Sequence, residues 1–236
     1  MKGVHLCVLF LLTGFCTSCG GRNKTDRSKE NIKSGTKDRG ASPGSNEKYI
    51  NTKYEYTDAT GKRLIIKNSF PKSGVNYTDP NGKKYIYAVF WTRIVNETVN
   101  PLELKIDFPL DSFEIPSSSG NYMKLLLPSD TMTIDKEDLY DYGLSIKSFL
   151  DNNRHQSSWL KRTINPKDSS GFYVVTRSNQ GVNGTLRPGL SLKGQTLFYR
   201  IKIDGSKSNT TSNDKEIQCG SIKSASVFTR KIGTVR

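Results

Sequence analysis

Residues Tyr85-Ile-Tyr-Ala-Val-Phe-Trp-Thr-Arg-Ile-Val95 decide the fold. Under a two-residue period, Tyr85, Tyr87, Val89, Trp91 and Val95 share one face, while Ile86, Ala88, Phe90 and Ile94 share the other. Apolar residues on both faces predict a strand covered on both sides, and Trp91 is expected in the core. Asn81-Gly82 supplies turn residues just before the strand; Asn96-Glu-Thr98 and Asn100-Pro101 end it.

Working outward, similar β-branched and aromatic runs predict strands at Lys53 to Thr57, Leu64 to Ser69, Leu102 to Phe108, Tyr122 to Leu127, Phe172 to Thr176, Leu197 to Ile203 and Ile222 to Phe228. Asp58-Ala-Thr-Gly61 joins the first two as a hairpin. A helical island interrupts the pattern. Asp130-Thr-Met-Thr133 offers a cap, Asp135, Glu137 and Asp138 place negative charge in the first turn, and Gly143 ends it. Leu144 to Asn152 predicts a second short helix burying Ile146, Phe149 and Leu150. The fold class expected is mainly β: an antiparallel β-sandwich with a short helical insertion near residues 134–152.

Two segments refine that expectation. Tyr87 to Phe108, an apolar strand with Asn96 at a turn and Pro101-Leu102 opening another strand, resembles the central hairpin of immunoglobulin-like domains in bacterial lipoproteins. Arg187-Pro188-Gly189, then Gly194 and Leu197-Phe-Tyr-Arg-Ile201, is similar to their late Pro-Gly turn and Phe strand. The resemblance covers roughly 40 residues of the domain, implies an immunoglobulin-like sandwich and carries no activity.

The N-terminus has a different character. Lys2, the apolar run Val4 to Leu12 and the small, polar stretch Thr13 to Cys19 follow the order of a signal peptide. The run has 9 residues, about half of the roughly 20 a spanning helix needs, which excludes a multi-pass membrane protein. Thr17-Ser-Cys-Gly20 resembles a bacterial lipobox, although Cys16 stands where that pattern has an aliphatic residue. The resemblance implies a signal peptide over residues 1–18, a diacylated Cys19, and a protein lipid-anchored in the bacterial cell envelope, at the outer membrane or cell surface. Cys7 and Cys16 leave with the signal, so Cys219 is then a lone thiol. The alternative is a secreted protein with a Cys19 to Cys219 bridge. Five Asn-X-Thr sequons, at Asn23, Asn76, Asn96, Asn183 and Asn209, arise easily in so Asn- and Thr-rich a chain.

Residues 19–48 predict a disordered tether. From residue 20 onward they hold 5 Gly and 4 Ser, no aromatic residue, and only Ile32 and Ala41 as apolar side chains, too little to offset the entropy of ordering. A coil of this length spans about 30 Å. One folded domain is left for residues 49–236. The formal net charge is +14, of which +4 lies in the tether and +9 in residues 49–236, Lys2 carrying the rest. Such a balance attracts polyanions. With an export signal the expected partners are the membrane, through the anchor, and an envelope protein or an anionic glycan, with no nucleic acid.

Catalytic chemistry is hard to assemble from this composition. His155 is the one imidazole beyond the signal, in the polar stretch Asn152 to Ser158, and no Gly-X-Ser-X-Gly elbow accompanies it. One His and two Cys do not make the usual zinc set, and no cofactor is implied. Asp135, Glu137, Asp138 and Asp141 are weak calcium candidates, without EF-hand spacing, and read more simply as an acidic helix start. Trp159 stands beside Lys161 and Arg162, an aromatic plane next to two cations suited to a sugar ring with an acidic group; the competing reading places Trp159 in the core. The function expected is a non-catalytic, lipid-anchored binding module for a protein or glycan. The alternatives are a structural or assembly lipoprotein of an envelope complex and, last, a carboxylate-dependent hydrolase.

Overall fold

The computed structural model describes residues 49–72, 74–115, 118–152, 158–205 and 214–230. The signal, Cys19, the tether, His155 and most of the loop after Asp204 lie outside these residues. The strands run β1 (Ile50–Thr57), β2 (Arg63–Ser69), β3 (Val75–Thr78), β4 (Lys84–Asn96), β5 (Leu102–Phe108), β6 (Phe113–Glu114) and β7 (Tyr122–Leu126). After a helical excursion come β8 (Ser158–Ile164), β9 (Ser169–Ser178), β10 (Thr185–Lys193), β11 (Thr196–Asp204), β12 (Asp214–Lys223) and β13 (Thr229–Arg230). Two antiparallel sheets pack face to face as a β-sandwich. The first has the order β13-β1-β2-β4-β9-β7-β6, with β3 also paired to β4, and the second the order β10-β11-β12-β5-β8.

The quoted stretch is β4, at the middle of the first sheet, and its two faces meet two separate cores. Ala88, Phe90 and Ile94 point between the sheets, joining Leu104, Ile106 and Tyr199 from the opposite sheet. Tyr87, Val89 and Trp91 point the other way, into a second core with Tyr173, Val175, Tyr142 and Leu150. The second sheet is buried on one face only. In β5, Leu102, Leu104, Ile106 and Phe108 face inward while Glu103, Lys105 and Asp107 face out, the alternation expected of a half-solvated antiparallel strand.

Asn68 on β2 locks the sheets at one edge. Its side-chain oxygen accepts from the Leu190 amide at 2.9 Å, and its amide nitrogen donates to the Leu190 carbonyl at 3.1 Å, as a neighbouring strand would. The Tyr56 hydroxyl accepts from the Leu192 amide at 2.7 Å. Gly189 permits this approach, since a Cβ there would stand 3.2 Å from the Asn68 side chain. Asn96, fully buried, ties the end of β4. Its amide donates to the carbonyls of Asn100, Ile164 and Asn165, and its oxygen accepts from the Thr98 amide and hydroxyl.

Several expectations are corrected. β4 and β5 do not form a hairpin: the turn after Asn96 carries the chain from one sheet to the other. Arg187-Pro188-Gly189 is not a turn but the middle of β10, paired with Lys202, Ile201 and Arg200 of β11. Pro188 is tolerated because β10 is an edge strand and Pro188 shares the phase of Leu190, whose amide faces away from β11. The last long strand is Asp214–Lys223 rather than Ile222 to Phe228. A register shift against Leu197 and Phe198 re-phases it at Gly220, where φ is 148° and a Cβ would collide with the Lys105 carbonyl. The residues after Lys223 leave the sheet, yet Phe228 is still buried in the inter-sheet core.

Candidate functional site

The excursion between β7 and β8 roofs the outer face of the first sheet. It begins with Thr131 bridged to Phe172 of β9, passes through short 3-10 turns at Ile134–Lys136 and Tyr140–Gly143, and ends in the helix α1 (Ile146–Asn152). The second expected helix is present, with Ile146 and Leu150 buried and Phe149 partly so. The first is not an α-helix. Thr133 takes the cap position without a side-chain cap bond, and the chain then reverses hand. Asp141, Tyr142 and Gly143 have φ of 46°, 56° and 69° in succession. Gly143 takes a left-handed conformation without cost and Asp141 is of a type that tolerates it, whereas Tyr142 costs roughly 1–2 kcal/mol there.

Packing and hydrogen bonds hold that turn. Tyr142 is buried and stacks on Tyr173 at 5.4 Å. The Lys72 ammonium lies 3.8 Å from the centre of the Tyr142 ring and donates to the carbonyls of Glu137 and Leu139. Burial holds the Lys72 ammonium below its usual pKa, against the pull of Asp141, Asp138 and Glu137. The Asp141 carboxylate, also buried, accepts from the Tyr87 hydroxyl at 2.6 Å. Burial first, and then that bond, pushes the Tyr87 phenol far above its ordinary range. Next to it, Asp151 accepts from the Tyr77 hydroxyl at 2.7 Å and from Lys147 at 2.8 Å, and the Tyr77 phenol is pushed up to about 12, mainly by burial.

The strained turn and the polar side of α1 border an open groove of about 640 Å3. Tyr140, Asp141, Ser145, Ser148, Asp151 and Asn152 line it. Tyr140 is 73% exposed, so its ring is free to lie against a bound molecule. The groove therefore offers an aromatic plane, two carboxylates steadied by buried tyrosines, two hydroxyls and an amide. Chemically, carboxylates, hydroxyls and an amide exchange hydrogen bonds with hydroxyl groups, and an aromatic plane stacks on apolar ring faces.

The residues singled out from the sequence are dispersed. Asp141 is in the groove, but Glu137 is buried elsewhere, Asp138 accepts from Tyr49, and Asp135 is exposed. Among the described residues no three His, Cys, Asp or Glu side chains converge to hold a metal ion. Trp159 is not core: it is 64% exposed on β8, the edge of the second sheet. Lys161 shares its outward phase, but Arg162 turns inward and donates to the Gly171 carbonyl at 2.7 Å and to Ser170 at 3.2 Å. The expected trio is thus split, with Arg162 tying β8 to β9. Cys219 is buried with its thiol toward the Leu197 carbonyl, and burial pushes it up to about 12, so a bridge to any residue outside the core would have to pull it from the sandwich. Sequence reasoning missed Tyr140, Ser145, Ser148 and Asp151. The available signal was the polar side of the 144–152 helix, opposite Ile146 and Leu150.

The chain matches no protein-family model, no curated protein and no solved structure.

Proposed function

We propose that this chain is a non-catalytic binding module of a bacterial cell envelope, lipid-anchored through Cys19, and that it takes a glycan in the groove over the first sheet. The observation that carries the reading is the groove itself. An exposed tyrosine sits on a left-handed turn beside carboxylates, hydroxyls and an amide, on a segment whose buried residues Tyr142, Ile146 and Leu150 fix it to the first sheet. The Asp141 and Asp151 carboxylates are positioned by tyrosine hydroxyls, and a carboxylate has lone pairs for more than one donor, so each can also accept from a ligand's hydroxyl group. Two carboxylates against the single ammonium of Lys147 favour a neutral glycan there, although the net charge of the chain favours an anionic one.

A glycan array probed with the full chain tests this. Binding that falls at least tenfold in Tyr140→Ala, with an unchanged melting temperature, supports the groove. Retained binding in Tyr140→Ala together with loss in Trp159→Ala would move the site to the second sheet. The second reading, an assembly lipoprotein working through its sheet edges, is favoured by β8, an edge strand that presents an exposed tryptophan. Cross-linking in cells from position 159 to a single partner would support it.

A further inference from the structure

A second cavity, of about 410 Å3, lies between the two sheets at the end where β4 and β10 begin and β9 ends. We infer that it is a binding site for the apolar chain of a neutral amphiphile, separate from the groove bordered by the excursion. Ile86, Ala88, Phe90, Met123, Val182 and Leu186 supply its apolar wall. The space arises where two successive pairs on the inner face each have a small member, Ala88 opposite Thr176 and Ser178 opposite Ile86; the next pair on that face, Phe90 and Val174, fills the core again. Protein interiors are close-packed, so an open space of this size between two sheets stands out from the rest of the core. Its volume lies within the range of small-molecule sites.

The chemistry of the lining names the ligand. The Thr176 hydroxyl points its proton to the Ala88 carbonyl, and the single proton of Ser178 goes to the Gln180 carbonyl at 2.8 Å, with the Ile86 carbonyl farther off at 3.4 Å, so both donors are already used within the fold. With their protons spent, these hydroxyls can only accept, and the rest of the wall they sit in is Ile86, Ala88, Phe90, Met123, Val182 and Leu186, so an apolar chain fits better than a polar one. At the mouth, glycines replace side chains. A Cβ on Gly74 would stand 3.0 Å from Ile86 Cγ2, and one on Gly181 3.3 Å from Ile86 Cδ1. The cation at the rim, Lys72, is turned away, held by two carbonyls and the Tyr142 ring. With no free charge offered by that lysine, the head group that fits is uncharged, as in a monoacylglycerol.

Titration of the full chain with N-phenyl-1-naphthylamine, a neutral apolar fluorophore, tests the site. Saturable one-to-one enhancement is expected, displaced by monolauroylglycerol at lower concentration than by dodecanoate. Ala88→Leu fills the cavity and should weaken the fluorophore at least tenfold without lowering the melting temperature, while Tyr140→Ala leaves it unchanged. Should Ala88→Leu fail to fold, nuclear Overhauser contacts between the fluorophore and the methyl groups of Ala88 and Met123 in the unmodified chain decide instead. No saturable binding, full affinity in a folded Ala88→Leu, contacts confined to other residues, or preference for dodecanoate overturns the inference. Because Tyr140→Ala reports on the groove alone, failure of either site is visible independently of the other.

Discussion

The two outer faces of the sandwich are built from the same kind of strand and have opposite fates. On the first sheet, Tyr87, Val89, Trp91, Tyr173 and Val175 lie under the 130–152 excursion and form a second core. On the second sheet, Glu103, Lys105, Asp107, Trp159 and Lys161 face solvent, and nearby charges pair laterally, Arg200 with Asp214 and Lys202 with Asp204. Each face carries one tryptophan. The difference teaches that burial of an aromatic residue here is decided by what crosses over the strand, not by the strand that carries it.

The sharpest break of the comparison is the tryptophan pair itself. Trp91→Ala should cost about 3–5 kcal/mol in denaturant unfolding, the usual loss for a large buried aromatic side chain. Gly143→Ala comes next, at about 1–2 kcal/mol, because it places a Cβ on a left-handed residue 3.1 Å from Leu139 Cδ1. A smaller effect depends on pH. Glu137 belongs to the excursion and is buried, its Oε2 without a hydrogen-bond partner. Burial raises its carboxyl above the ordinary range, helped by Asp138 and opposed by Arg93, Lys72 and Lys67. An acid with a raised folded pKa binds its proton more tightly in the folded chain, so its contribution is complete below the unfolded value and is lost as pH rises through the folded one. Glu137→Gln should therefore be more stable than the parent at neutral pH and equal to it below about pH 4, as read by thermal melts across that range. The smallest change is Trp159→Ala, expected within about 0.5 kcal/mol of the parent. A loss near that of Trp91→Ala would mean that the second sheet, too, is covered in solution.

What could be read in advance follows the same division. β4 declared both cores because both of its faces are apolar, and the β1–β2 hairpin followed from Asp58, whose carboxylate accepts from the Thr60 and Lys62 amides. β8 was hidden because its pattern is inverted, with Trp159 outward and Arg162 inward to the Gly171 carbonyl and the Ser170 hydroxyl on β9. β10 was hidden by Pro188-Gly189, which signals a turn unless an edge position and the approach of Asn68 are known. In the groove, only Asp141 was among the expected acids. The left-handed run that sets it beside Tyr140 depends on Tyr173, Lys72 and Tyr87, residues distant in the chain, and local spacing carries no trace of them.

The pairing of β4 with β9 has a consequence in time. Ile86 faces Ser178 and Val95 faces Ser169, so the partner edge of the most apolar strand emerges 74 to 92 residues after it. At about 5–20 residues per second of synthesis, that is a wait of roughly 4 to 18 seconds with one edge of β4 open. β2 and β3 are made earlier and can occupy the other edge, but neither covers a face. During that interval the nascent chain is at its most adhesive, and a holding chaperone has most to gain from this stretch.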